Sequence, residues 1–311
     1  MRELKELLVD IRDNNEIKPE IYFINKKTYD VFRMDAKEEF AINTKTNILT
    51  KLLEDLSGKD IITYDPLLPG ENAVEKLEVK EVTKYVEELR NKIYTPEGEK
   101  IDNEELKTEI NNISFVAIKF IVKCEDGKDK EVTLFVKFIR TKYMNEDKPK
   151  FSIVDNEFDL VYRPVYTIDN TVFAIEYNDM FYILKRKQFE STFKFDELYT
   201  MIIEASKENI ESLDVIDNVS EMLERAKHDG RYKRRVVKAI KDKDFEVLAK
   251  HKDKIAEIVE RHHKDVLVVD GKLIYDEDSI RDIMQILSRS FVTCELTGES
   301  RVAKGFAKEE E

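Results

Sequence analysis

ISFVAIKFIVKC (residues 113–124) and VTLFVKFIR (residues 132–140) are β-branched and aromatic runs joined across Glu125-Asp126-Gly127-Lys128. Such runs favour strands, and the acidic Gly-containing connection is a hairpin signal. Shorter runs follow at 151–154, 158–162, 165–168, 171–177 and 180–184. Asp169-Asn170 and Asn178-Asp179 read as two-residue turns between them. A two-residue turn cannot join parallel strands, so the middle of the chain is expected to form an antiparallel meander.

Outward from this centre the period changes. Residues 1–13 place Leu4, Leu7, Leu8 and Ile11 on one helical side, and 21–24 with 29–32 form a hairpin pattern around Asn25, Lys26 and Lys27. Residues 37–56 repeat apolar side chains at three and four, Phe40 among them, and Ser57-Gly58 ends the pattern. A loop with two prolines covers 65–72; helices are expected at 79–93 and 103–110. Beyond Pro164 there is no proline, and 195–206, 215–227, 231–239, 245–249, 254–263 and 279–287 read as helices. A small strand pair, 266–269 with 272–275, turns at Asp270-Gly271. The expected class is α+β: an N-terminal α/β part (1–112), then a sheet-plus-helices domain (113–311) with the antiparallel meander first and a mostly helical C-terminal part.

The 311 residues are 41% hydrophobic and 38% charged, with 17 Phe, 13 Tyr and no Trp. That is enough bulk for a core and argues against global disorder. Cys124 and Cys294 are far apart and read as reduced thiols. The start, MRELKELLVDIRD, has mixed charge and lacks the basic and apolar regions of a signal peptide. No apolar run approaches the ~18 residues that a spanning helix needs. A cytoplasmic location is expected, with any approach to an inner membrane made through a partner. Net charge is −13, but residues 225–264 carry, by count, 14 Lys and Arg against 7 Asp and Glu, leaving −20 on the rest. Screening acts over about 8 Å at physiological salt, so a local patch can hold an anion despite the total.

The search for chemistry is negative. There is no G-x-x-x-x-G-K-[ST], G-x-G-x-x-G, G-x-S-x-G, H-E-x-x-H or C-x-x-C. No catalytic residue, cofactor site or metal site is assigned. A nuclease would need acids and a lysine converging on bound metal ions. Glu125, Asp126, Asp129, Glu131 and Lys137 are present around one hairpin, but the acids crowd its turn and read as a solvated loop. His262 and His263 beside Asp265 project about 100° apart on a helix, which suits a surface pair better than one ion.

The strongest physical signal is GRYKRRVVKAIK, residues 230–241. Arg231, Arg234, Arg235, Lys238 and Lys241 fall within roughly 120° of one helical face, with Tyr232, Val236, Ala239 and Ile240 opposite. Lys227 and Lys233 complete the candidate contact set. Such a stripe can follow a phosphate backbone by counterion release, with little base reading. It can equally meet an acidic protein face, or simply be solvated.

VFAIEYNDMFYILKRKQFESTFKFDELY (172–199) and IRDIMQILSRSFVTCELTGESR (280–301) carry a resemblance. A strand, a turn and a second strand ending Tyr-Ile-Leu lead into Lys-x-x-x-Phe-Glu and Phe-x-Phe-x-Glu-x-Tyr. Near the C-terminus a short helix runs into an aromatic residue and then Cys-x-Leu-Thr-Gly. This resembles the KwaB-like family over about residues 172–301. The resemblance implies a cytosolic antiphage-defence protein that binds phage or plasmid DNA with little sequence preference. It also implies homo-oligomeric assembly with a small transmembrane partner, the A protein of the Kiwa system, and obstruction of phage replication and transcription by occupancy. It brings no catalytic residues.

Overall fold

The computed structural model describes residues 2–25, 27–28, 30–34, 37–67, 72–82, 84–94, 112–123, 129–140, 151–154, 157–160, 166–288, 291–293 and 300–302. Contacts divide the chain into two compact units, Met1–Thr63 with Gly70–Phe193, and Tyr64–Pro69 with Lys194–Glu311.

The first unit contains α1 (Arg2–Asp13), β1 (Glu20–Ile24), β2 (Val31–Met34), α2 (Glu38–Asp55), β3 (Ile61–Thr63) and β4 (Val74–Glu78). It continues with α3 (Lys84–Tyr94), β5 (Phe115–Val122), β6 (Lys130–Arg140), β7 (Phe151–Val154), β8 (Glu157–Leu160), β9 (Tyr166–Tyr177), β10 (Met180–Ile183) and α4 (Arg186–Thr192). Eight strands form one sheet in the order β2-β1-β5-β6-β9-β10-β4-β3, antiparallel except where β3 meets β4. The expected α+β class and central meander are observed. Strand pairing crosses residue 112: β1 pairs with β5 and β4 with β10 inside that one sheet.

The central strands read as continuous apolar runs because both their faces are covered. Val116, Ile118, Phe120, Val132, Leu134, Val136 and Ile175 share a core with Leu4, Leu7, Leu8 and Ile11 of α1 and Ile48, Leu49 and Leu52 of α2. Phe135 instead sits 5.5–6.3 Å, ring to ring, from Phe115, Phe173, Phe181 and Phe193. The two covering helices hold each other's C-terminal ends. Lys5 donates to the Leu56 carbonyl (2.7 Å), and Lys45 donates to the carbonyls of Asn14 (2.7 Å) and Ile17 (3.3 Å). Each ammonium meets a carbonyl at or just beyond the negative end of the other helix. Lys45 is thereby 1% exposed, whereas Phe40, expected in the apolar stripe, is 49% exposed.

Several boundaries differ from the sequence expectation. Asp169-Asn170 is not a turn: β9 runs unbroken from Tyr166 to Tyr177. Its pairing with β6 passes from Val136↔Val172 to Phe138↔Ile168, so Lys137 alone faces residues 169–171. The Asp169 carboxylate accepts the Thr171 N–H and stabilises this bulge locally. Asn178 and Asp179, both with positive φ, do form the turn between β9 and β10. Residues 74–78, given no element in the sequence reading, are a strand, and α3, expected from residue 79, begins only at Lys84. The expected helix at 103–110 and the hairpin turn at 125–128 lie outside the described residues.

The second unit contains α5 (Phe195–Leu213), β11 (Ile216–Asp217), α6 (Val219–His228), α7 (Gly230–Lys241), α8 (Asp244–Lys250), α9 (Ile255–Arg261), β12 (Val268–Val269), β13 (Lys272–Ile274), α10 (Ile280–Leu287), β14 (Phe291–Thr293) and β15 (Ser300–Val302). The single helix expected at 215–227 divides: Asp214 and Asn218 adopt left-handed backbone, and Ile216 between them pairs with Leu273 in a three-stranded sheet. Helices α5, α6 and α7 pack on one another through Tyr199, Ile203, Met222, Leu223, Ala226, Val236 and Val237, all buried. The Tyr64 hydroxyl lies 2.6 Å from that of Tyr199, which ties the 64–69 segment to α5.

Candidate nucleic-acid interface

Helix α7 starts where Asp229 accepts the Arg231 N–H (2.8 Å), an N-cap with the acid at the positive end of the helix dipole. Its apolar side is Val236, Val237 and Ala239, all buried, with Ile240 half-buried. The opposite side presents Arg231, Arg234, Arg235, Lys238 and Lys241, so the backbone places the expected stripe on one face.

The side chains are not equivalent. Arg231 and Lys241 are exposed, while Arg234 and Arg235 are half-buried. The Arg231 guanidinium lies 3.2 Å from Asp229 and 5.8 Å from the Tyr232 ring centre. The hydrogen bond from the Arg231 side chain, and then that from its N–H, hold the Asp229 carboxyl below its usual range. With the arginine side chain 83% exposed, this pairing is of the kind that contributes little in water and gives way to a competing anion. Arg235 has no ion-pair partner among the described residues.

Three lysines of the expected set are committed elsewhere. Lys233 lies on the buried side of α7, 5% exposed, with its ammonium 2.7 Å from Asp196 of α5. It leaves the candidate interface, because position 233 falls among Val236, Val237 and Ile240 on the wheel. Lys227 bridges Glu204 of α5 and Glu224 of α6 and serves their packing. Lys238 stays on the outer face, but its ammonium meets Asp65 at 2.7 Å and Asp242 at 3.1 Å. Burial pulls this ammonium down, yet the hydrogen bonds to Asp65 and Asp242 outweigh it and hold Lys238 above its ordinary value. Asp65, 173 positions from Lys238, gave no signal in the sequence.

The other chemical candidates fare as follows. Glu131 lies 3.2 Å from Lys119, its neighbour across the β5–β6 ladder. Glu125, Asp126, Cys124 and Cys294 lie outside the described residues. His262 stacks on Phe291, ring centres 4.2 Å apart. Among the described residues no group of three or more His, Cys, Asp or Glu could hold a metal ion, and no helix is long and apolar enough to cross a membrane.

Fold and site together define an α+β protein whose concentrated positive charge is the outer face of one helix in its C-terminal unit. Among known protein families, that described as Kiwa protein KwaB-like matches residues 110–297, more than half of the chain. The chain belongs to the KwaB-like family, which implies a component of the Kiwa antiphage-defence system. The match spans the meander from β5 onward and the helical unit up to the region of β14. No curated protein and no solved structure matches.

Proposed function

We propose that this chain is the nucleic-acid-binding component of its defence system. It holds double-stranded phage or plasmid DNA through the outer face of α7 and impedes replication and transcription by occupancy. The observation that carries this reading is the alignment of Arg231, Arg234, Arg235 and Lys241 along one side of a single helix. These four span about three turns, or about 15 Å at 1.5 Å per residue, a length suited to consecutive phosphates of one strand. Contacts of this kind carry no base information, which agrees with the absence of a base-reading motif. Homo-oligomeric assembly and a small transmembrane A-type partner complete the proposal, because they would bring the helix to entering DNA at the membrane.

The test is retardation of a duplex by the purified chain, with Arg231, Arg234, Arg235 and Lys241 changed together to Glu. Loss of retardation in the variant supports the reading, and undiminished retardation clears the helix of the role. Plasmid incubated with Mg²⁺ or Mn²⁺ in the same series separates binding from cleavage: nicked or linear product would replace occupancy with nuclease action.

A second reading rests on a specific feature. Lys227, Lys233 and Lys238 already hold carboxylates of this chain, so the same surface chemistry suits an acidic protein partner. That reading predicts no duplex retardation and co-purification with a protein encoded alongside.

A further inference from the structure

Lys238 occupies the middle of the outer face of α7, where a bound phosphate backbone would pass. The structure places a carboxylate there already. Asp65 belongs to the loop that the chain contributes to the helical unit from a point far upstream. Its Oδ2 accepts from Lys238 Nζ at 2.7 Å, and its Oδ1 accepts the Leu67 N–H at 2.7 Å. The second bond closes an Asx turn that aims the carboxylate at the helix. Next to it, the Tyr64 ring lies 5.6 Å from Phe195, and its hydroxyl is 2.6 Å from that of Tyr199. Tyr64 is 7% exposed, so the loop is anchored by a buried aromatic contact and does not rely on the ion pair. The pair itself is three-quarters shielded, with side chains 27% and 24% exposed, which makes it more durable than the Arg231–Asp229 contact.

We infer that Asp65 is a built-in competitor for the phosphate that Lys238 would otherwise bind, so that the loop carrying it sets how tightly α7 holds DNA. This rests on the nucleic-acid reading of α7 and adds its regulation. Two effects act together in the wild-type chain: one cation is withdrawn from the polyanion, and a like charge is held at the centre of the stripe. Asp242 also touches Lys238, but it caps the same helix and moves with it. Asp65 arrives from a separate segment, so a partner or ligand that pairs with its carboxylate leaves Lys238 to Asp242 alone.

Asp65→Asn tests this with little risk to the fold, since the asparagine Oδ1 can still accept the Leu67 N–H and Tyr64 is untouched. Binding of a short fluorescent duplex is measured against salt for wild type, D65N, K238Q and D65N/K238Q. One added phosphate contact should tighten D65N about fivefold at physiological salt and steepen its salt slope by about 0.9. K238Q alone should keep the wild-type salt slope, and the double variant should lose the added slope of D65N. Equal or weaker binding by D65N, or a steepened slope that survives loss of Lys238, overturns the inference while leaving α7 as the DNA surface. Duplex left unbound by every protein at low salt overturns the nucleic-acid reading itself, and this inference with it.

Discussion

The salt dependence of duplex binding follows from counting which cations α7 can offer. Lys227 and Lys233 are engaged in ion pairs between helices, and Lys238 is held by Asp65 and Asp242. The outer face also presents Arg231, Arg234, Arg235 and Lys241. With about 0.9 counterions released per phosphate neutralised, four contacts give a slope of about −3.6 in log affinity against log salt. Raising salt from about 50 to about 200 mM, a factor of about 4, then weakens binding about 150-fold. Arg235→Gln should reduce the slope to about −2.7, so the same change in salt weakens the variant only about 40-fold. Fluorescence anisotropy with one duplex across a salt series reads both slopes. A wild-type slope shallower than about −1, or one that none of the four substitutions alters, refutes the assignment of phosphate contacts to this helix.

Three further outcomes test the scaffold. Phe135→Ala empties the space among Phe115, Phe173, Phe181 and Phe193 and should cost about 3–5 kcal/mol in urea unfolding, with a loss under about 1 kcal/mol contradicting the packing described. Lys45→Met takes the buried ammonium from the carbonyls of Asn14, which keeps the Ile17 N–H, and Ile17, and should cost about 1–3 kcal/mol; an unchanged urea midpoint would show that the ammonium does not hold the end of α1. His262 sits below the ordinary histidine value, first because of burial and then because of Arg261, Lys264 and His263. The unfolded chain therefore takes up this proton first as pH falls. The site's stabilisation is complete above about pH 6.5 and declines below it, so melting temperature should fall less between about pH 7.5 and 5.5 in His262→Gln than in wild type. Equal falls in the two proteins would discharge His262 from that role.

Some of this architecture was legible from local pattern alone. The apolar runs of β5 and β6, the turn at Asn178-Asp179 and the three-and-four spacing of Leu4, Leu7, Leu8 and Ile11 are properties of adjacent residues, and the corresponding elements are present. The helix carrying Arg231, Arg234, Arg235, Lys238 and Lys241 was legible for the same reason: one rotation of about 100° per residue determines which side chains share a face. The family was legible too: its motif at 172–199 and most of that at 280–301 fall in the matched region, residues 110–297.

What neighbours in sequence could not decide were the relations between distant segments. Asp169-Asn170 has the composition of a turn, but β6 runs beside it and the long ladder absorbs the extra residues as a bulge. The boundary at residue 112 follows a change of period, yet strand pairing joins β1 and β4 to the meander, because unsatisfied strand edges seek partners wherever the chain supplies them. The electrostatics of α7 show the same limit. Composition counts a lysine as one positive charge, whereas the fold spends Lys233 on Asp196 and Lys227 on Glu204 and Glu224, and brings Asp65 onto Lys238 from 173 residues away. Sequence by itself determined which cations lie on one helical face; only tertiary structure decided which carboxylates are brought to them, because charge pairing depends on distance in space and not on separation along the chain.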